Sequence, residues 1–166
     1  MPLAEYESTP REVRQFAYVQ IGLTSGFVLL LFLALGRLDG DLPPWWAFVV
    51  LVGAVVVAAV LAERVWLQSE PFSPDDDPDE LLDRAVGVFA AQTVRKLVIC
   101  EAAVVLAIAF AFVGGWAAWP LVIGGVPGLA LLAFEIWPSV RNLSITAAML
   151  EAEGARTGLV EGFRSW

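Results

Sequence analysis

The sequence predicts an all-α, polytopic integral membrane protein whose four transmembrane helices form one bundle. Two observations carry this prediction. The 166 residues are 58% apolar, with a mean hydropathy of +0.72, and the apolar residues are concentrated in four long blocks. The Lys and Arg residues lie between these blocks with a strong bias: nine of the ten fall on one side of a four-span arrangement.

Each apolar block is long enough to cross the bilayer, because about 20 helical residues at 1.5 Å each span about 30 Å of hydrocarbon. A helix of a soluble bundle keeps a polar face, and these blocks have none. Only Glu101 interrupts the third block, and Glu135 follows the fourth. The predicted spans are residues 16–35, 45–62, 97–113 and 117–134, within a single domain comprising residues 1–166.

The positive-inside rule sets the predicted orientation. Arg37 is the one basic residue between the first and second spans, and none follows the third span directly. We therefore expect both termini, a loop over residues 68–93 and a tail over residues 142–166 to be cytoplasmic. Spans rich in Ala, Val and Leu favour a multi-pass protein of a bacterial plasma membrane.

Two segments carry helix-start signals. Thr9, Pro10 and Glu12 have the spacing of a capping box, so the first helix is predicted to begin there and to run into the first span. In the loop, Asp77 suits an N-cap position and Pro78 the first turn. The apolar residues that follow have helical spacing and predict an amphipathic helix at the cytoplasmic surface, bending or continuing into the third span: Leu81, Leu82, Ala85, Val86 and Phe89.

The acidic run before this helix is a weak candidate for a metal or diphosphate site, formed by Asp75, Asp76 and Asp79. Prolines at positions 74 and 78 interrupt the run, and the chain has no second acidic motif to complete such a site. Helix capping and a solvated charge run are therefore the favoured interpretation. In the tail we expect a short helix over residues 144–153, followed by a glycine-containing segment that frays.

Composition excludes several classes of site. The chain has no His, and Cys100 is its one cysteine, which excludes His-ligated haem, a Ser-His-Asp triad and an intramolecular disulfide. We expect Cys100 to be a buried apolar residue and expect no cofactor. The net charge of −8 argues against nucleic acid as a partner.

Residues 13–20 and 94–101 are similar in pattern, and both open a span that leaves the cytoplasm. The returning spans also end alike, at Glu63 and Glu135. These similarities predict two duplicated helical hairpins. They also place four polar residues, one from each span, at similar depth near the cytoplasmic face as a candidate intramembrane cluster: Gln20, Glu63, Glu101 and Glu135.

Glu101 is the most informative of the four, because a carboxyl group inside the hydrocarbon is costly and needs a partner or a function. It either couples protons or cations, or fixes helix packing through a partner such as Gln20, Arg64 or Arg141. Glu63 and Glu135 lie at helix ends, where side chains reach the lipid headgroups.

Small residues and tryptophans complete the pattern. Two Gly-x-x-x-Gly motifs, Gly22/Gly26 and Gly124/Gly128, predict close helix approach within the chain or between copies. Pro120 and Pro127 predict an irregular or bent fourth span. The tryptophans are predicted to form interfacial belts, at the outer ends of the spans (Trp45, Trp46, Trp116, Trp119) and at the inner ends (Trp66, Trp137).

The third span, from Arg95 through Glu101 to Leu106, carries an Arg, an apolar turn, a Glu and then small residues. In this it resembles small uncharacterised bacterial four-span membrane proteins. The resemblance covers the third span only. It implies a four-helix bundle in which Glu101 belongs to the core pattern, and it implies no activity.

These observations favour a non-enzymatic membrane protein, either an accessory or scaffold subunit of a larger complex or a homo-oligomer. Its expected partners are the lipid bilayer and other membrane subunits or copies of itself. The alternative is a small proton- or cation-coupled transporter or channel that uses Glu101. A membrane enzyme comes third, since it would require the acidic run to bind a metal.

Overall fold

The computed structural model describes residues 8–35, 38 and 40–164, without the side chains of residues 78 and 79. All regular secondary structure in these residues is helical. A 3₁₀ turn, Trp66–Gln68, extends the second helix, and a π-helical turn, Leu121–Gly125, precedes the fourth. The helices are α1 (Pro10–Leu35), α2 (Trp45–Val65), α3 (Pro78–Val113), α4 (Val126–Ile136), α5 (Val140–Leu150) and α6 (Leu159–Arg164).

Three of the described helices are long and apolar enough to cross a membrane: α1, α2 with its 3₁₀ extension, and α3. The π turn with α4 forms a bent pair with α5, at an angle of 52°, and this pair is a fourth candidate span. These apolar helices are consistent with a multi-pass integral membrane protein. The π turn directly after Pro120 agrees with the irregular beginning predicted for the fourth span.

The predicted capping box starts α1. The backbone N–H of Thr9 donates to the Glu12 carboxyl group at 2.8 Å, and the backbone N–H of Glu12 donates to the Thr9 hydroxyl at 3.3 Å. The first helical residue is Pro10. The sequence prediction of this helix start is confirmed.

Helix α3 runs for 36 residues without a break. At 1.5 Å per residue it is about 54 Å long, roughly 24 Å more than the hydrocarbon core of a bilayer. The amphipathic segment is therefore the first part of α3, so of the two arrangements predicted the helix continues into the third apolar block and does not bend. Its apolar face, including Leu81, Val86 and Phe89, is buried against protein.

The tail packs against this first part of α3. The expectation that it frays is wrong, because its apolar residues are buried in a cluster with the amphipathic face of α3. The Phe163 ring meets the Phe89 ring edge-on at 5.4 Å, and the Phe163 carbonyl accepts a bond from Arg14 at 3.0 Å. This end cluster consists of Val13, Phe72, Leu81, Ala85, Val86, Phe89, Leu143, Ala147, Leu150, Ala155, Leu159 and Phe163.

A second buried cluster joins α1, α2, α3 and α4 further into the bundle. Small side chains at Ala17, Ala62 and Cys100 are fully buried there and let the helices approach. The burial of Cys100 agrees with its predicted role as an apolar residue. The members of this inner cluster are Ala17, Ala62, Leu97, Cys100, Leu132 and Ile136.

The two Gly-x-x-x-Gly motifs have different surroundings. A Cβ atom added at Gly128 would lie 2.9 Å from Val104 Cγ2, and one added at Gly124 would lie 3.1 Å from Ala107 Cβ. The α4 motif therefore packs closely on α3. At Gly22 and Gly26 an added Cβ would meet nothing within 4 Å, so the α1 motif faces open space.

The opposite end of the bundle carries an aromatic group. The Trp46 ring lies 5.7 Å from the Trp116 ring and 6.1 Å from the Phe110 ring. The Trp119 indole N–H donates to the Gly40 carbonyl at 3.2 Å. Trp46 and Trp116 thus meet at one end, as expected for residues predicted to cluster at the outer ends of the spans.

Candidate functional site

The four polar residues predicted to share one depth divide between two polar groups of the bundle. Glu63 and Glu135 both approach Arg141, which contacts them from the start of α5. Gln20 and Glu101 line a cleft between α1 and α3. The structure therefore joins the residues in pairs that follow the predicted hairpin repeat, while the repeat itself stays a prediction.

The first group is built on a buried ion pair. The Lys96 ammonium lies 2.8 Å from Glu135 Oε2, and the two side chains are 2% and 1% exposed. Taking two charges out of water is costly, so such a pair is maintained only where each charge compensates the other. This bond joins α3 to α4 and fixes how the two helices face each other.

Aromatic and cationic side chains surround this pair. The Lys96 ammonium lies 3.3 Å from the centre of the Trp66 ring, and the Arg141 guanidinium lies 5.0 Å from the same ring centre. Arg141 also forms an ion pair with Glu63 at 2.5 Å. Trp66 is buried, so it is part of this group and not a member of the predicted inner aromatic belt. Its face supplies electron density that stabilises the desolvated ammonium.

The bend between α4 and α5 positions these groups. The Asn142 side-chain amide lies within hydrogen-bonding distance of three carbonyl oxygens at the end of α4, those of Phe134, Glu135 and Trp137. Ser139 caps α5 by accepting from the Asn142 backbone N–H at 3.2 Å. Because the last carbonyls of a helix lack partners within the helix, this amide holds both Glu135 and Arg141 in place.

Sequence reasoning missed this group. The sequence predicts that Glu135 reaches the headgroups from a helix end, but its side chain is buried and paired with Lys96 of α3. In the sequence, Lys96 contributes only to the bias of Lys and Arg that sets the predicted orientation. One signal was present: Lys96 is the single lysine among ten basic residues, and it directly precedes an apolar span.

The second group centres on Glu101. The Thr24 hydroxyl donates to Glu101 Oε1 at 3.0 Å. Thr24 is not among the partners that the sequence suggests for Glu101. Of those candidates, Gln20 lines the same cleft. Glu101 is half-buried. Among the described residues, no Lys or Arg lies within ion-pair distance of its carboxyl group.

The cleft around Glu101 has a volume of about 290 Å³ and lies between two parallel stripes of residues. On each helix the lining positions are spaced three, four and seven apart, so each stripe is one face of its helix. The lining residues are Gln20, Leu23, Thr24 and Phe27 on α1 and Glu101, Val104, Val105 and Ile108 on α3. This site holds a carboxyl, a hydroxyl and an amide group, and it is suited to binding a cation or a hydrogen-bond donor.

Asp76 and Asp77 of the acidic run before α3 form hydrogen bonds and an ion pair with residues close to them in the chain. Asp76 accepts from the Ser73 backbone N–H at 3.2 Å and pairs with Arg84 at 3.1 Å. The Asp77 carbonyl accepts from the first turn of α3. The Asp79 side chain lies outside the described residues. Within the part of the chain that the structure describes, no three His, Cys, Asp or Glu residues are grouped to hold a metal.

No known family model, curated protein or solved structure matches this chain. The resemblance of the third span to four-span bacterial proteins therefore stays a prediction. What the chain does has to be argued from its own geometry.

Proposed function

We propose that this is a non-enzymatic integral membrane protein that acts as an accessory or scaffold subunit of a membrane complex, or as a homo-oligomer. We place it in a bacterial cell membrane as a four-span bundle with both termini in the cytoplasm. The distribution of Lys and Arg supports this orientation. The observation that carries the proposed role is the uncovered outer face of α1.

Helix α1 is held to the bundle by one side only. In its most apolar stretch 6% of the residues are buried, against 39% in that of α3. Its buried residues, such as Ala17 and Val28, lie on one side of the helix, and Ala17 belongs to the inner cluster. The rest of the helix is available to lipid or to a helix of another subunit.

The open glycines lie on that free side. At about 100° per residue, Gly26 is placed about 180° around the helix from the fully buried Ala17. Glycines at this spacing form a groove in which a second helix packs with close backbone approach. The α4 motif of the same chain is used in this manner against α3, and the α1 motif has no such neighbour among the described residues.

The test is purification of the tagged protein from native membranes in a mild detergent, with co-purifying proteins quantified by mass. We expect a stoichiometric partner or a defined oligomer. A Gly22→Leu/Gly26→Leu variant should lose that assembly while staying folded, since a Cβ atom added at either position meets nothing within 4 Å in the monomer.

Gly53→Leu is the matched control. Gly53 lies in α2, and an added Cβ there also meets nothing within 4 Å, but the residues four positions away are valines. Assembly should survive this change. A wild-type protein that purifies as a monomer without a partner would overturn the proposal.

Transport is the second candidate function, and the half-buried Glu101 favours it. A carboxyl group that faces an open cleft within a span is the kind of group that couples proton or cation movement. Flux measured in liposomes, wild type against Glu101→Gln, separates the two candidates. Flux that depends on Glu101 indicates a transporter or channel, and an assembly that depends on Gly22 and Gly26 indicates a subunit.

A further inference from the structure

The α1–α3 cleft has one polar end and one apolar end. Gln20, Thr24 and Glu101 lie nearer the end at which α1 begins, whereas Phe27 and Ile108 lie further along the two helices, toward their last residues Leu35 and Val113. From Glu101 to Ile108 the helix rises by seven residues, which is about 10 Å. A ligand that fills this cleft therefore needs a polar head and an apolar body of about that length.

The polar end favours a positively charged head. Glu135, which is buried in the bundle, is compensated by the Lys96 ammonium at 2.8 Å. Glu101 has the Thr24 hydroxyl at 3.0 Å and no basic side chain within ion-pair distance among the residues the structure describes. A carboxyl group within an apolar span is stabilised by an opposite charge, and here a ligand would supply it.

The apolar end is open to the lipid. Leu23, Phe27 and Val105 line the cleft and also keep more than half of their surface exposed. An amphiphile dissolved in the bilayer can therefore enter sideways between α1 and α3, with its apolar body against these side chains. The volume of about 290 Å³ is at the lower end for small-molecule sites, so the ligand is small.

We propose that this cleft binds a small amphiphilic organic amine from the lipid phase, with its ammonium group on Glu101 and its apolar body between Phe27 and Ile108. Gln20 and Thr24 supply further oxygen acceptors to the ammonium hydrogens. This site is separate from the outward glycine face of α1, so it goes beyond the proposed assembly role and stands or falls independently of it.

The test uses the full chain in nanodiscs of zwitterionic lipid and equilibrium dialysis of radiolabelled 4-phenylbutylamine, with empty nanodiscs as the baseline. We expect saturable binding of one amine per chain above that baseline. The neutral 4-phenylbutanol and the anionic 4-phenylbutyrate have the same apolar body. Both should bind about tenfold or more weakly, because the neutral alcohol forms no ion pair with Glu101 and the anionic carboxylate is repelled by it.

Glu101→Gln keeps the size and hydrogen-bonding shape of the side chain and removes its charge. It should weaken amine binding by about tenfold or more and leave alcohol binding unchanged. Asp83→Asn is the matched control, because Asp83 is an exposed carboxyl group on α3 outside the cleft, and it should bind the amine as the wild type does.

Three results would overturn the proposal: no saturable binding above empty nanodiscs, equal binding of the amine and the alcohol, or equal binding of the amine to the wild type and a folded Glu101→Gln variant. The comparison of amine, alcohol and carboxylate on the wild type decides the matter even if the variant does not fold. Loss of assembly in the Gly22/Gly26 variant has no bearing on this result.

Discussion

The α3–α4 contact and the α1–α3 contact contain the same kinds of residue and use them differently. At α3–α4 a carboxyl group, Glu135, is fully enclosed and paired with Lys96. At α1–α3 a carboxyl group, Glu101, is half-open and bonded to the Thr24 hydroxyl. A carboxyl group in an apolar helix thus either holds two helices together or stays accessible to a ligand, depending on whether a counter-charge is buried with it.

The glycines repeat the contrast. A Cβ atom added at Gly128 would lie 2.9 Å from Val104 of α3 and one added at Gly124 would lie 3.1 Å from Ala107 of α3, whereas Gly22 and Gly26 have open space. Close packing and ion pairing therefore coincide at the α3–α4 contact. Among the described residues Glu101 has no ion pair at the α1–α3 contact, and the α1 glycines lie on the outer side of α1, away from α3. We conclude that α2, α3 and α4 form the fixed part of the bundle and that α1 is the helix with free surface.

The largest expected effect comes from breaking the buried ion pair. Lys96→Met leaves the Glu135 carboxyl group buried without its ammonium partner, and the loss of stability should be about 3–5 kcal/mol. Tryptophan fluorescence during denaturation in mixed detergent micelles would measure it. Arg95→Met is the neighbouring control, since Arg95 is exposed and should matter little.

A second change separates the charge from the packing. In the double variant Lys96→Met/Glu135→Leu no unpaired charge remains, so most of the lost stability should return. If Lys96→Met were as stable as the wild type, the pair would not be the joint between α3 and α4 that we describe.

The next prediction compares the two glycine motifs by adding one methyl group to each and measuring the change in stability. Gly128→Ala places a Cβ 2.9 Å from the β-branched Val104, and this overpacking should cost about 1–3 kcal/mol. Gly26→Ala meets open space, so the monomer should be unchanged or gain up to about 1 kcal/mol from better helix propensity. The same denaturation measurement, made on the monomer, reports both. Equal effects would remove the distinction between the motifs.

The smallest effect concerns the open site. Thr24→Val keeps the shape of the side chain and removes one hydrogen bond to Glu101, so the cost in stability should be about 0.5–1.5 kcal/mol. Thermal unfolding in detergent, followed by circular dichroism, would measure it. A loss as large as that of Lys96→Met would show that Glu101 is a structural joint like Glu135, against our comparison.

Several elements were predictable because their signals are local. The capping box at Thr9 and Glu12 and the start of α3 at Pro78 each depend on residues within one turn. The apolar blocks are equally local, since their length and composition alone make them candidate spans. The proline-rich start of the fourth block predicted an irregular helix, and a π turn lies there.

The partners of the polar residues were not predictable in this manner. Glu101 and Thr24 are 77 positions apart in the chain, and Lys96 and Glu135 are 39 apart. Nothing in the helical spacing around Lys96 selects Glu135 over Glu63 as its partner. The surroundings of Glu135 depend on Lys96 of α3 and on the bend between α4 and α5, where the Asn142 amide reaches three carbonyls of the preceding helix end.

The helical character of the chain, the positions of its apolar blocks and the lack of His-dependent sites follow from the amino-acid sequence alone, because length, composition and capping act within a few residues. The enclosure of Glu135, the close packing of the Gly124/Gly128 motif and the packing of the tail on α3 follow instead from how the helices meet. Burial and charge pairing depend on residues far apart in the chain, so they are set only when the helices pack.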